Sequence, residues 1–397
     1  MSKQKKALLI PGDFPPEVSG IATYFHEIWK FYDPADNIIL AAKYRNYRKF
    51  DKESQLNTIR IDIPTGNSII HKVLKSIFYT IKVLLLNRKH NIQVIHCGQV
   101  LSSGVTGWIM KKLFNIPYII YVYGSETYRF GNNKYLLKLI EEFLMKADKI
   151  IPNSQFTMEE FMALDIPEEK FQIITPGVDT ERFQPSTPNF DLVNKYQLQK
   201  KKVLLTVARL DERKGHDKVI EAIARLKKEI PNIVYLIVGK GRELKRLKAL
   251  VRKYKIKENI RFCGYVPDED LSKYYNCCDL FILLNRQTSD DEQLAGDYEG
   301  FGIVFLEASA CGKPVIAGNF GGIRDAVEDD KSGYIIDGND MTIITTTIKK
   351  LLLNDFNKIQ LGKYGRERVV EFFAWKKISK ELNTISNSII QEYHERS

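Results

Sequence analysis

The chain has 397 residues, 44% of them apolar and 27% charged, with 60 Lys and Arg against 49 Asp and Glu for a net charge of +11. That is the composition of an ordinary globular protein of about two domains, and it excludes disordered and fibrous classes. Five cysteines with no CxxC pair exclude a disulfide framework and argue against structural zinc. The apolar run after the charged start MSKQKK is too short for a signal peptide, and no stretch reaches the roughly 18 apolar residues of a membrane span. The expectation is a cytosolic chain, and its positive excess favours an acidic partner: nucleotide phosphates, an anionic membrane surface or nucleic acid.

Short β-type runs alternate with helical patterns throughout. Strands are predicted at Ala7–Pro11, Ile38–Ala42, Thr58–Ile63, Ile92–Cys97, Tyr118–Tyr123, Lys149–Pro152 and Gln172–Thr175. Helices are predicted at Thr23–Phe31, Asn67–Leu86, Leu101–Phe114 and Lys134–Lys146. A second series of strands begins at Lys202–Val207 and continues with Ile233–Val238, Ile260–Cys263, Leu280–Leu284, Pro314–Ala317 and Gly333–Ile336. Its helices are Lys214–Glu229, Arg242–Tyr254, Asp268–Tyr275, Ile303–Ala310 and Met341–Leu353. Val/Ile/Leu-rich strands joined by helices predict doubly wound parallel sheets, one in each half. The polar, proline-containing stretch Phe183–Lys202 marks the break. The division is therefore 1–185 for an N-terminal acceptor-side domain and 186–373 for a C-terminal nucleotide-binding domain. A final helix from 374 to 397 is expected to pack back on the first domain, and the two sheets are expected to face a shared cleft.

Three segments carry chemistry. In YEGFGIVFLEASACGKPVIAG, from Tyr298, Glu299 precedes Gly300, Phe301 and Gly302 and a helix from Ile303. The free N–H groups of such a helix start suit a diphosphate, Glu299 could accept from ligand hydroxyls, and Glu307 could take a ribose diol. In TVARLDERKGHDKV, Arg209 directly follows a strand and Lys214 opens the next helix, a fork and a point charge suited to a diphosphate leaving group. In GDFPPEVSGIATY, from Gly12, a strand runs through a Pro-rich turn into Ser19, Gly20 and a helix.

Together these segments resemble the retaining glycosyltransferases of family four, which have the GT-B fold. NSQFT at Asn153–Thr157 and PGVDTERF at Pro176–Phe183 add to the likeness, which runs over about residues 7 to 393. The wording DFPP and EGFGIVFLEASACGKPVIAG looks most like the branch with bacterial phosphatidylinositol-mannoside mannosyltransferases. The resemblance implies that Arg209 and Lys214 bind and neutralise the donor diphosphate and that Glu299 holds sugar hydroxyls. It implies that amides around Phe301, Gly302, Ile303 and Val304 bind sugar and phosphates, and that Glu307 binds the ribose. The strand end at Ile260–Gly264, with Phe262, would flank the base, and Gly20 would approach the diphosphate from the first domain. It further implies no metal and no cofactor, and retention by same-face attack.

Two positions depart from the family pattern. Ser19 replaces the first of two usual glycines, and Tyr123 stands in VYGSET where many members carry a His. The Tyr123 hydroxyl could donate to a sugar hydroxyl, and Glu126 either orients the acceptor or is structural. The acceptor side is otherwise open: His71–His90 combines five Lys and Arg with many apolar residues. It either lies on an anionic membrane or covers the sheet with its apolar face and solvates its lysines. The basic run Lys43–Phe50 could extend such a surface or form a polar loop. The loop Asn285–Asp297 could shape an acceptor entrance, with Asp290 and Asp291 read as a solvated charge run. His96, His216 and Cys277–Cys278 read as structural.

The expected activity is transfer of a hexose-type sugar from a nucleotide diphosphate sugar to a lipid-linked or glycan acceptor in envelope polysaccharide or glycolipid synthesis. Peripheral contact with the inner face of the cell membrane and no nucleic-acid partner are expected. The rivals are a nucleotide-sugar epimerase of the same fold and a nucleotide-sugar-binding protein without turnover.

Overall fold

The computed structural model describes residues 5–64, 66, 68–124, 133–287 and 299–396. The chain forms two compact units, Met1–Pro176 with Trp375–Ser397, and Gly177–Ala374. The units join at Pro176, earlier than the 185/186 division read from sequence, because the turn 179–183 buries Phe183 in the second unit's core. The segment expected to be a linker contains a helix, Phe190–Tyr196, capped by Asn189.

The first unit is built on β1 (Lys5–Ile10), β2 (Asn37–Ala42), β3 (Thr58–Ile61), β4 (Asn91–Cys97), β5 (Tyr118–Val122) and β6 (Lys149–Pro152). All pair in parallel, in the order β3-β2-β1-β4-β5-β6. The second unit has β7 (Lys202–Val207), β8 (Ile233–Val238), β9 (Ile260–Gly264), β10 (Leu280–Leu283), β11 (Val315–Gly318) and β12 (Gly333–Ile336). Their order, β12-β11-β10-β7-β8-β9, repeats the permutation of the first sheet. Chain order reverses between β1 and β4 and between β7 and β10. In doubly wound sheets such reversal points, at the strands' carboxyl ends, are where ligands bind. The two GT-B half-folds expected from sequence are thus present.

The strands read as continuous apolar runs because both faces are covered. In the first sheet, Leu8, Ile10, Ile38, Leu40, Ile95 and Ile120 point to one face and Leu9, Ile39, Val94, Ile119 and Tyr121 to the other. The first face is covered by helices Ile69–Lys89, Val105–Phe114 and Lys134–Lys146. The second is covered by Gly20–Trp29 and by the last helix, Trp375–Glu395, through Trp375, Ile378, Leu382 and Ile389. The run Lys43–Phe50 enters a helix, Tyr47–Ser54, and Phe50 packs on this second face. It therefore does not extend the surface of helix Ile69–Lys89.

Two elements differ from the sequence reading for clear reasons. Residues 172–175 donate Gln172 N–H to Ile150 O and Ile174 N–H to Pro152 O, but form no regular strand. The long helix Asp355–Phe372 went unread because its buried stripe is Leu361, Gly362, Gly365 and Val369, half glycine and so without an apolar signature.

His96 is fully buried on β4, with Nδ1 2.9 Å from the Tyr121 hydroxyl and Nε2 3.1 Å from the Ser386 hydroxyl of the last helix. Burial pulls its pKa from 6.5 to about 3. Between those values the unfolded chain binds the extra proton, so the stability His96 contributes is present above pH 6.5 and lost as pH falls toward 3. In urea unfolding of the intact chain, the first unit's midpoint should fall below pH 6.5, and His96→Gln should flatten that fall.

Candidate functional site

In the second unit the order reversal places the ends of β7 and β10 side by side. From β7 the chain passes through Arg209 into a tight turn, Glu212–Lys214, and then, after Gly215, into helix His216–Leu226. Lys214 thus ends a short turn and does not open the helix as its sequence position suggested. Gly215 lies against β10's exit so closely that a Cβ would stand 2.4 Å from Leu284 O.

Lys214 is buried, at 7% exposure, and its ammonium donates directly to Glu299 Oε2. The Arg213 guanidinium lies 3.9 Å from the same oxygen. Burial alone would raise the Glu299 carboxyl, but Lys214, Arg213 and Arg209 together hold it below the usual carboxylate range. Burial also depresses the Lys214 ammonium, which Glu299 only partly restores. The Arg209 side chain is 66% exposed and bonds Asp211 Oδ2 at 3.2 Å. Lys214, Arg213 and Arg209 thus meet Glu299 at the carboxyl end of this sheet, with Asp211 beside Arg209.

Glu299 is fixed by backbone. Gly322 N–H donates to Glu299 O at 2.8 Å, and Gly321, at φ +89°, approaches it so closely that a Cβ would stand 2.3 Å from that oxygen. Gly302, at φ +90°, caps helix Ile303–Ala310 in the left-handed region, where any Cβ would strike the Phe305 ring. Phe305 N–H is taken by Gly302 O at 3.0 Å, and no side chain caps the start of this helix, so the N–H groups of Ile303 and Val304 are the ones placed to meet an anion. Phe301 turns inward, packing 6.1 Å from Phe373, while Ile303 and Val304 are half-buried.

Glu307 lies one turn into this helix and accepts 2.7 Å from the Tyr275 hydroxyl. Burial lifts its pKa to about 7 despite that bond. Phe262, on β9, is half-buried with the Lys248 ammonium 5.9 Å over its ring.

In the first unit, Gly20 begins helix Gly20–Trp29. Ser19 caps it at φ −148° and accepts from Ala22 N–H at 3.0 Å. That is an extended backbone any residue adopts, so the serine fits where the family usually has glycine. Tyr123 follows β5, half-buried, with its ring 6.5 Å edge-on to Tyr24. Glu126 lies outside the described residues, as do Asp290 and Asp291.

Four further residues organise the site. His216 donates from Nε2 to Arg209 O at 3.1 Å, and its Nδ1 lies 3.2 Å from the Tyr235 hydroxyl, which in turn is 2.8 Å from Thr206 Oγ1. Burial lowers the His216 pKa to about 4, so it is neutral at physiological pH. Arg286, just past β10, donates its backbone N–H to Arg213 O at 3.0 Å and both guanidinium arms to Asp217 at 2.8 Å. Burial would raise Asp217, but Arg286 and Arg246 hold it low. The start of the loop Asn285–Asp297 is thus bound to the Arg209–Asp217 turn. Its part from 288 lies outside the described residues. Asn285 is 2% exposed, and neither of its amide atoms has a hydrogen-bond partner among the described residues. The segment RKGHD held the signal for His216 and Asp217; Arg286 and Asn285 had none.

Residues 190–368 match the family Glycosyl transferases group 1, and residues 18–182 match Glycosyltransferase Family 4. The chain is 27% identical over 377 residues to the GDP-mannose-dependent alpha-(1-6)-phosphatidylinositol monomannoside mannosyltransferase of Mycolicibacterium smegmatis, covering 93% of this chain and 95% of that protein. It is 27% identical over 401 residues to the enzyme of Corynebacterium glutamicum named for the monoacylated form of that acceptor, covering 98% and 99%. Among solved structures it is similar to Anabaena HepE in complex with UDP, with a TM-score of 0.80 at 17% identity over 96% of this chain and 100% of that one. Sucrose-phosphate synthase from Thermosynechococcus elongatus gives 0.76 at 22% identity over 98% and 100%. Both solved structures share the fold. The two matched segments together span both sheet units, and the chain belongs to the family-four glycosyltransferases, a GT-B enzyme similar to their phosphatidylinositol-mannoside branch.

Proposed function

We propose that this glycosyltransferase is retaining and metal-independent, moving a hexose-type sugar from a nucleotide diphosphate sugar to a lipid-linked or glycan acceptor. The observation that carries the reading is the buried Lys214–Glu299 pair, set between the end of β7 and the open start of helix Ile303–Ala310. Lys214, Arg213, Arg209 and the helix amides supply the positive field that a departing diphosphate needs, the work a bound metal does in other enzymes. The names of the two mannosyltransferase relatives support GDP-mannose as donor and a phosphatidylinositol mannoside or similar glycolipid as acceptor.

In this reading Arg209 and Lys214 bind the diphosphate, with Lys214 also holding Glu299 ionised. Glu299 accepts from sugar hydroxyls, and the buried amide of Asn285 gains partners from the donor. The amides of Phe301–Val304 bind sugar and phosphate, Glu307 binds the ribose diol, and Phe262 flanks the base. On the first unit, the Tyr123 hydroxyl donates to a sugar hydroxyl and Glu126 orients the acceptor. The bond from the sugar's anomeric carbon to the phosphate oxygen breaks, with its electron pair leaving on the diphosphate. The acceptor oxygen bonds that carbon from the same face and passes its proton to the departing phosphate oxygen. Binding at the inner face of the membrane completes the reading.

Thermal unfolding with UDP-, GDP- and ADP-sugars in EDTA tests donor binding directly. A donor at 100 times its Kd stabilises by about 2.7 kcal/mol, and a selective response to GDP-mannose is expected. No response to any of the three would overturn the reading. Glu299→Gln should keep the nucleoside diphosphate response and lose transfer at least about a hundredfold.

Glu307 titrates near pH 7, and its ionised form is the better acceptor for ribose hydroxyls. The donor KM should rise as pH falls through about 7, with kcat less affected. Glu307→Gln should raise KM and abolish that dependence.

Arg286 and Asp217 position the cation turn without being assigned to donor contact. Asp217→Asn should lower kcat by about tenfold, as a small misplacement of catalytic groups does. The variant should keep the nucleotide-induced thermal shift, and Arg286→Lys should recover little because the two-pronged contact is lost.

A further inference from the structure

A cavity lies in the first unit at the amino ends of β4 and β5, away from the carboxyl ends at which doubly wound sheets take their ligands. It encloses about 250 Å³, somewhat less than the roughly 300–1,000 Å³ of a drug-sized pocket. Four carboxamides line it: Asn87 from the end of helix Ile69–Lys89, Asn91 and Gln93 from the start of β4, and Asn115 from the turn before β5. The His394 ring donates to Gln93 Oε1 at 2.6 Å, and Gln93 donates to Asn91 Oδ1 at 3.0 Å. The Asn91 NH2 group and the side-chain amides of Asn87 and Asn115 make no hydrogen bond among the described residues.

Charge and shape select the class of occupant. Among the described residues no Asp, Glu, Lys or Arg lines the cavity. Three helices end at it, Ile69–Lys89, Val105–Phe114 and Trp375–Glu395. Helix carboxyl ends carry partial negative charge and leave carbonyls as open acceptors, which disfavours an anion. A divalent cation would find no carboxylate to hold it. A carboxamide, in contrast, sets a donor and an acceptor side by side, and a hydroxyl group, itself both donor and acceptor, completes that pattern. The rest of the lining is largely apolar: Ile92 and Ile116 are buried, and Phe114, at 49% exposure, leaves ring surface for the C–H face of a cyclic polyol. Several neutral hydroxyls on one compact ring with an apolar face describe a pyranose, and the volume suits a single ring.

We propose that this cavity binds one pyranose unit of a neutral saccharide, with Asn87, Asn91 and Asn115 hydrogen-bonding to its hydroxyls and Phe114 packing on its C–H face. Ile116 and Pro117 precede β5 and Tyr123 follows it, so the cavity stands at the other end of the strands from Tyr123. It is a site separate from those assigned above to donor and acceptor, and it does not rest on the transferase reading.

The side-chain NH2 signals in nitrogen–proton correlation NMR of the full chain, with no nucleotide present, test this. Those of Asn87, Asn91 and Asn115 are assigned by their loss in Asn87→Asp, Asn91→Asp and Asn115→Asp. Methyl α-mannoside, methyl α-glucoside and linear mannotriose are then titrated, and at least one should shift the three signals saturably, whereas sodium pyrophosphate should not. Tighter binding of the trisaccharide supports a unit within a glycan chain, and equal binding supports a single sugar. Asn87→Ala combined with Asn91→Ala should weaken the binding by at least about tenfold, read on the Asn115 signal. Asn115→Asp, which tolerates the left-handed backbone at that position, should weaken it as well, read on Asn87. Unmoved signals with all three saccharides, undiminished binding by these variants, or an equal response to pyrophosphate would overturn the proposal. The GDP-mannose thermal response is read separately. If it persists while the saccharides leave the amides unmoved, the cavity proposal falls and the transferase reading stands.

Discussion

The ion pair between Lys214 and Glu299 is the constraint around which the second unit's functional end is arranged. Taking an ammonium and a carboxylate out of water costs several kcal/mol each, recovered only when the geometry is well held and the remaining polar atoms are met. The pair joins segments 85 residues apart, one leaving β7 and the other entering helix Ile303–Ala310. Each side is held by backbone: Arg286 N–H and the His216 ring on the Arg209–Lys214 turn, and Gly322 N–H with Gly321 against Glu299. The charges are thus placed by folding, and on the function proposed above they would need little reorganisation when negative charge develops on a departing diphosphate, the condition that electrostatic catalysis requires.

A second consequence follows from the reversal of strand order. Because β7 and β10 are neighbours whose connections leave in opposite directions, a gap opens at their carboxyl ends that no crossover helix fills. The Arg209–Asp217 turn and Asn285–Arg286 occupy its rim, clasped by the Arg286–Asp217 fork. The buried Asn285 amide, without a partner among the described residues, would be a defect inside a closed core, where such a group costs about 1–3 kcal/mol. On the function proposed above, it would be a place for the donor to bond.

The strands and most crossover helices could be read from sequence because doubly wound folds write burial as uninterrupted apolar runs. Lys149–Pro152, Lys202–Val207, Ile233–Val238, Gly333–Ile336 and the helices Lys134–Lys146, Ile303–Ala310 and Met341–Leu353 have the bounds expected of them. What escaped was packing by small residues and partnership at a distance. Gly362 and Gly365 seat helix Asp355–Phe372 against Gly312 O and Ser309, where closeness replaces hydrophobicity. The individual site residues stood out as motifs, but nothing local in DERKGHD names Glu299 as the partner of Lys214, or Arg286 as that of Asp217. Helix Ile69–Lys89 shows the same limit from another side. Periodicity gave it an apolar face, yet only the inward contacts of Ser76, Thr80 and Tyr79 decide that this face turns to solvent.

The net charge of +11 therefore has parts of different character. In the segment Arg209–Asp217, Arg209, Arg213 and Lys214 are matched by Asp211, Glu212 and Asp217 and by Glu299 opposite. Their field is local, set in a partly desolvated recess, and poorly screened by salt. Along Ile69–Lys89 five cations stand without one acid on the helix, Lys72, Lys75 and Lys82 partly buried and Arg88 and Lys89 exposed, and their attraction reaches about a Debye length and fades as salt rises. A single excess in the composition is thus divided between two physically different settings. On the function proposed above, charge in the recess would meet a small anion by contact geometry, whereas charge spread along a helix acts only by sign.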